Sequence, residues 1–417
     1  MTLDSTSTDG TNNGTCWVFV VPRTISGVLY GSGGSADPTV RNLKWSPAGG
    51  TATTIQTTVT TGAWSFTTTA NNNDVFTIWV DGEAVFGTTV IKYGASCTGT
   101  PNCTGISIRE SAISIANYHT AALTNAEIGV CDTNSGAGCS GDTDLKMNVT
   151  TNDLVVDAGM GLLINVGAYT PGGTVTTPAT TASGGLAGAL TVGCGTTLTM
   201  AANALSVGAG FSSCGAISLS AGQDTTFTAT GTGHTIDENG TGNFEDLIFN
   251  GSGGGWSFTQ SSNTINGDIT MTAGTISGTS SITVSGGDVT GDGDINMTGG
   301  TFLVDGTGSF GGATAWDFNN LTFGDGTGTA TTTSTGTGGI YLSTSTGVLT
   351  IAANQTLDAG SKNWLFYATS GTPMVRSGPF TANTSAIYFG YAGGTVNLPA
   401  AVMTGANSFY RLYVYTS

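Results

Sequence analysis

Two kinds of side chain in this sequence have types and spacings that could do chemistry: clustered acids and paired cysteines. The densest acidic group is Asp237, Glu238, Glu245 and Asp246, with His234 close by. Glycoside hydrolysis needs two carboxylates flanking one bond, and acids on adjoining turns could line such a groove. A second run, GGDVTGDGDIN, carries Asp288, Asp292 and Asp294; a third holds Asp132, Asn134, Asp142 and Asp144 around a cysteine loop. Hard cations such as calcium want several oxygen ligands, often on Gly-rich loops. Neither run has the spacing of a calcium loop. Asp288, Asp292 and Asp294 stand as secondary calcium candidates. The favoured reading of both runs is Asp capping tight turns through its own backbone. No other metal or cofactor is expected, and no residue is assigned a catalytic role.

The remaining chemistry is poorly supplied. A lyase acting on acidic sugars needs Arg or Lys to neutralise the uronate and serve as base, yet no Lys or Arg occurs between Lys146 and Lys362. A serine hydrolase would need G-x-S-x-G on a strand-to-helix turn, and convincing helices are missing. A polysaccharide-degrading enzyme is therefore a minor alternative. The Thr-rich stretch TATTTSTGTG (329–338) could suit an ice lattice or a glycan, but Thr favours strands anyway, and irregular turn spacing argues against a lattice.

Cysteine chemistry points to oxidation. Of seven cysteines, Cys97 and Cys103 bracket CTGTPNC, Cys131 and Cys139 bracket CDTNSGAGC, and Cys194 and Cys214 lie about one turn apart. Three short-range disulfides follow. Cys16 is left over, for a partner in another chain or in further sequence. Disulfides persist in oxidising compartments, so an extracellular or cell-surface location is expected.

These residues need a scaffold, and composition says which. The chain has 417 residues, 67 of them Gly, and only 8% are charged. Hydrophobic residues make up 38% and alternate with Thr and Ser in short runs, which argues for ordered strands over disorder. The net charge of −17 with nine Lys and Arg excludes nucleic-acid binding, which needs a cationic surface. No run of about eighteen apolar residues predicts a membrane-spanning segment. The polar opening, without an apolar signal region, reads as the interior of a longer chain.

Residues 1–16 read as a polar linker or tail. Residues 17–93 carry seven short strands, CWVFVV, TISGVLY, TVRNLKW, TIQTTV, GAWSFTTT, DVFTIWVDG and FGTTVIKY, which predict an immunoglobulin-like β-sandwich. Trp17, Trp45, Trp64, Phe66, Phe76 and Trp79 are its expected core. Residues 94–417 change texture. In 186–220 the units LTV, LTM, LSV, FSS and ISL begin at 190, 198, 205, 211 and 217, so about three strands make a turn of roughly twenty residues. That spacing predicts a parallel β-solenoid, or β-helix, with disulfide-closed loops near its start. About fifteen coils at roughly 4.8 Å each would make a rod near 70 Å long. The expected fold class is thus all-β.

A longer pattern, aromatic-x-x-Leu-x-apolar, recurs at Phe244–Phe249, Phe318–Phe323 and Phe409–Val414. With the intervening NTINGDITMTAGTISGTSSITVSGGDVTGDGDINMTGGTFLVDGTGSF, it resembles the blocks of large repetitive bacterial surface proteins of the adhesin type. These are similar to filamentous-haemagglutinin and autotransporter-passenger solenoids, and 25–93 looks like the small Ig-like modules that precede them. The resemblance covers about 106–417 and implies surface display, adhesion or fibre formation; it supplies no catalytic residues. The expected function is a rigid extracellular fibre or filament subunit. Two segments are expected to join chains by strand addition: Trp17, Val18 and Phe19, and Tyr410, Leu412, Tyr413 and Val414. The alternative is a monomeric glycan-binding adhesin stalk. Partners are other copies, neighbouring domains or glycans. Asn-x-Ser/Thr sites at Asn13, Asn102, Asn148, Asn239, Asn250, Asn296, Asn320 and Asn354 make glycosylation a further expectation.

Overall fold

A computed structural model describes residues 22–58, 60–97, 102–369, 371–391 and 408–416. The linker 1–16, Cys16 and the segment Trp17, Val18, Phe19 lie outside them. The protein is all-β, about 1% helical, and a parallel β-solenoid of about 13 turns runs over residues 88–415. The chain divides into two compact units, one within 1–149 and 165–169, the other within 150–164 and 170–417.

The first unit contains β1 (Pro22–Tyr30), β2 (Asn42–Pro47), β3 (Thr53–Gln56), β4 (Ala63–Thr69), β5 (Val75–Val80), β6 (Thr88–Lys92), β7 (Cys103–Arg109) and β8 (Ala112–Asn117). β1 pairs antiparallel with β4 and parallel with β7. β2 pairs antiparallel with β3 and β5, β5 antiparallel with β6, and β6 parallel with β8. Alternation points one face of each sheet at the other. Ile25, Trp64 and Ile106 from one sheet share a core with Trp45, Phe76 and Ile91 from the other. Trp45 stacks on Phe66 at 4.0 Å between ring centroids. Trp45, Trp64, Phe66, Phe76 and Trp79 are all buried, as their spacing predicts. An immunoglobulin-like module over 17–93 is not established by this pairing. β1 and β6 each take a parallel partner from residues 103–117, so the two sheets do not close within residues 17–93.

The second unit is made of coils. Each contributes short strands that stack in register on the coil before. In one column Ile282, Phe302, Leu321, Leu349 and Met374 lie directly over one another. In another, Trp316, Ile340, Trp364 and Ile387 do the same. All of these are buried, and each is worth roughly 1.5–3 kcal/mol on leaving water. Strand neighbours such as Ser281, Thr283, Thr301, Thr322 and Thr350 face outward because the side-chain period is two. Coil length varies, with 19 residues between Thr301 and Asn320 and 30 between Val175 and Leu205. This variation accounts for fewer coils than a uniform repeat of about twenty residues implies.

The three aromatic-x-x-Leu motifs occupy three different columns. Leu247 stacks with Thr225 and Ile269, Leu321 with Phe302 and Leu349, and Leu412 on Ile387. They mark a recurrent strand entry and not a superhelical repeat.

The three cysteine pairs are bonded as expected: Cys97–Cys103, Cys131–Cys139 and Cys194–Cys214. The last pair joins consecutive coils, with Cα atoms 4.5 Å apart. Such a bridge contributes about 2–4 kcal/mol, mainly by restricting the unfolded chain.

Glycine is required where coils approach closely. A Cβ on Gly312 would lie 1.6 Å from the carbonyl oxygen of Gly291 in the coil beneath, whereas one on Gly185 would meet nothing within 4 Å. Gly312→Ala should therefore cost about 3 kcal/mol or more, and Gly185→Ala should stay within about 0.5 kcal/mol of the parent. Urea-unfolding midpoints of the two variants check this.

Candidate functional site

Three acidic regions are candidate sites, and the structure engages many of their carboxylates in structural bonds. Around the hydrolase candidates, Asp237 on the strand His234–Glu238 accepts from the amide of Gln260. Glu245 accepts from Asn266 Nδ2 at 2.9 Å. Asp246 Oδ1 accepts the backbone N–H of Asp268 at 2.8 Å. His234 is 2% exposed and sits beside the buried Trp256, 6.4 Å between ring centroids. Burial lowers its pKa. The imidazole is a core residue and does not join the outward carboxylates in a groove.

The calcium candidates carry a pattern not anticipated from sequence. Asp268 donates its N–H to Asp246 Oδ1 and Asp288 donates its N–H to Asp268 Oδ1, at 2.8 and 2.9 Å. Ser309 donates its N–H to Asp288 in turn. Asp292 Oδ1 accepts from Ala313 N at 3.1 Å, and Asp305 Oδ1 from Asp325 N at 2.8 Å. These carboxylates cap the next coil's backbone, about twenty residues on, and not only their own turn. Local capping does occur elsewhere: Asp132 and Asp142 accept the N–H two residues on, from Asn134 and Asp144. The ladder has an electrostatic cost. Burial, and then the neighbouring Asp288 and Asp246, push Asp268 up. Asp294 is raised by burial and by Asp317.

Among the described residues, carboxylates also converge in the first unit, where oxygens of Asp81, Asp142 and Asp144 lie within 4.8 Å of one another. Lys44 Nζ already sits there, 2.7 Å from Asp81 and 3.1 Å from Asp142. Asp142 also accepts from Trp79 Nε1 at 3.3 Å, and Asp144 from Gly82 N at 2.6 Å. Hydrogen bonding to Asp81 raises the Lys44 pKa. The protein's own ammonium thus bridges Asp81 and Asp142, the latter just past the Cys131–Cys139 loop in sequence.

Two titratable groups drawn inward were not anticipated there, the half-buried Glu238 and the buried Lys362. Glu238 has an unpartnered Oε1, and burial pushes it up to about 8. Lys362 is 2% exposed and donates to the carbonyls of Gly338 (2.8 Å) and Gly312 (3.4 Å), two successive coils. Burial lowers it to about 8. Lys362 precedes Trp364 by two residues, so alternation aims it inward, the one signal in sequence that could have found it.

A groove of about 390 Å³ in the second unit is lined by Thr232, Thr272, Thr314, Asp292 and Asp294. A cavity of about 140 Å³ lies against Leu186, Phe211 and His234. No family model, curated protein or solved structure matches this chain.

Glu238 and Lys362 make opposite pH predictions. A carboxyl raised above its unfolded value stabilises fully below that value and loses the contribution as pH rises. Glu238→Gln should therefore gain on the order of 1–2 kcal/mol at pH 8 and nothing near pH 4. A lysine with a lowered pKa penalises the fold while charged. The parent should become more stable as pH rises from about 8 to 10.5, and Lys362→Met should flatten that rise. Thermal unfolding across pH measures both.

Proposed function

We propose that this chain is an extracellular structural and adhesive protein of a bacterial surface, a stiff rod that displays a binding face or assembles into a fibre, and not an enzyme. One observation supports this most: parallel coils stacked in register, with apolar columns inside and hydroxyl side chains outside. That arrangement suits a stiff element. Three disulfides suggest an oxidising, secreted environment, and no helix of the described residues is long and apolar enough to cross a membrane. The adhesin resemblance rests on sequence texture and on the solenoid.

Assembly through the segment Tyr410–Val414 has a structural basis. The strand Arg411–Thr416 pairs parallel with Ala386–Tyr391, and Tyr413 stacks on Tyr388 at 4.6 Å between centroids. Leu412 and Val414 continue the columns of Ile387 and Phe389, yet they are 40% and 63% exposed. A further strand laid on 411–416 would cover them; strand addition from another copy, or the next coil of a longer chain, is the proposed source.

The second reading, a monomeric glycan-binding stalk, draws on the groove of Thr hydroxyls with Asp292 and Asp294. These groups can bond sugar hydroxyls. Exposed Asn250, Asn296 and Asn354 remain candidates for glycan attachment.

Electron microscopy of the purified chain tests the reading. Regular filaments that Leu412→Lys abolishes would support assembly. Isolated rods that Asp292→Asn releases from an immobilised polysaccharide would support the stalk. Turnover of a polysaccharide that Glu245→Gln or Asp246→Asn abolishes would overturn both.

A further inference from the structure

We propose that Lys92 and Asn117 join through an intramolecular amide bond, with Glu127 carrying the proton. The two residues are register partners on the adjacent parallel strands β6 and β8. Their side chains therefore leave the same face of the sheet, from Cα atoms about 4.8 Å apart. Both are buried, at 3% and 2% exposure, and a lysine is rarely so buried without a specific partner.

Their ends meet one short loop. Lys92 Nζ donates to the carbonyl of Ala122 at 2.9 Å, and Asn117 Nδ2 to that of Ala121 at 3.1 Å. Nζ lies 2.7 Å from Glu127 Oε1. The other Glu127 oxygen is anchored by the backbone N–H and hydroxyl of Thr124, at 3.0 and 3.2 Å, in the capping box of the helical turn Asn125–Ile128. Asn117 Oδ1 accepts the N–H of His119 at 2.9 Å. That donor polarises the amide carbonyl and faces the charge that would develop on its oxygen. Nδ2 is held a second time, by the carbonyl of Ala168 at 2.8 Å.

Each role in an amide exchange has an occupant. Glu127 takes a proton from Nζ, which frees the lone pair for attack on Asn117 Cγ. The Nζ–Cγ bond forms, the proton passes to Nδ2, the Cγ–Nδ2 bond breaks, and ammonia leaves. No electrons are exchanged and no co-reactant is needed. The product is a covalent strap between β6 and β8 that, unlike a disulfide, survives reduction. The inference stands apart from the fibre reading, since it concerns one polar cluster inside the first unit.

The intact mass of the purified, reduced and denatured chain decides it. The expected mass is lower than the sequence requires by one ammonia molecule, and digestion should release a branched peptide containing Lys92 and Asn117. Lys92→Arg and Asn117→Ala should restore the full mass, and Glu127→Gln should leave most chains unlinked. The full sequence mass in the parent chain after prolonged incubation would overturn the proposal, whatever the variants do. Ammonia loss that persists in Lys92→Arg would mean that an asparagine has cyclised on its own backbone, and would overturn it too. So would a parent chain that has lost one ammonia yet releases no branched peptide.

Discussion

Parallel hydrogen bonding between successive coils is the constraint on which the rest of the second unit depends. A parallel ladder holds residue over residue, so an inward position in one coil stays inward in the next. Columns such as Ile282, Phe302, Leu321, Leu349 and Met374 follow directly. The interior is narrow, and its width is kept by glycine wherever one backbone crosses closely over another, as Gly312 does over Gly291. Loops absorb all other variation, which is why coil length changes between neighbouring turns without disturbing the columns.

The same constraint sets the fate of polar groups. An inward donor gains by reaching a carbonyl, since a buried unpaired donor costs about 1–3 kcal/mol, although Gln223 Nε2 is buried without one. Trp256 Nε1 reaches Ala209, Trp316 Nε1 reaches Gly293, and Lys362 Nζ reaches Gly338. At corners the ladder lapses and leaves backbone N–H groups without a carbonyl. Asp246, Asp268, Asp288, Asp292 and Asp305 fill those gaps from one coil below. Much of the acidity of the second unit is thus structural, held against mutual repulsion by the backbone bonds it makes.

How much was legible in sequence follows from the range of each interaction. Alternation is local, so the all-β class, the coils, the buried aromatics of the first unit and the disulfides could be read. Pairing partners are not local. Nothing in FGTTVIKY announces that Lys92 will lie beside Asn117, and nothing in the three aromatic-x-x-Leu motifs separates their columns. The Asp runs were legible as backbone caps, but the acceptor–donor distance of about one coil was not, because turn chemistry is normally written within four residues. Lys362 was hidden for a different reason. Its type argues for the surface while its phase argues for the core, and in this chain phase prevails.

The bridge between Cys194 and Cys214 has a mechanical consequence. Coils bound only to their neighbours can be peeled off one at a time when a chain end is pulled, each release needing little more force than the last. A covalent tie between consecutive coils breaks that sequence. Peeling that reaches residue 214 cannot unwind the 194–214 coil fully, and tension passes into the bridge. The disulfide therefore acts as a stop in an otherwise sequential unzipping, and its reduction would remove the stop without altering a single ladder.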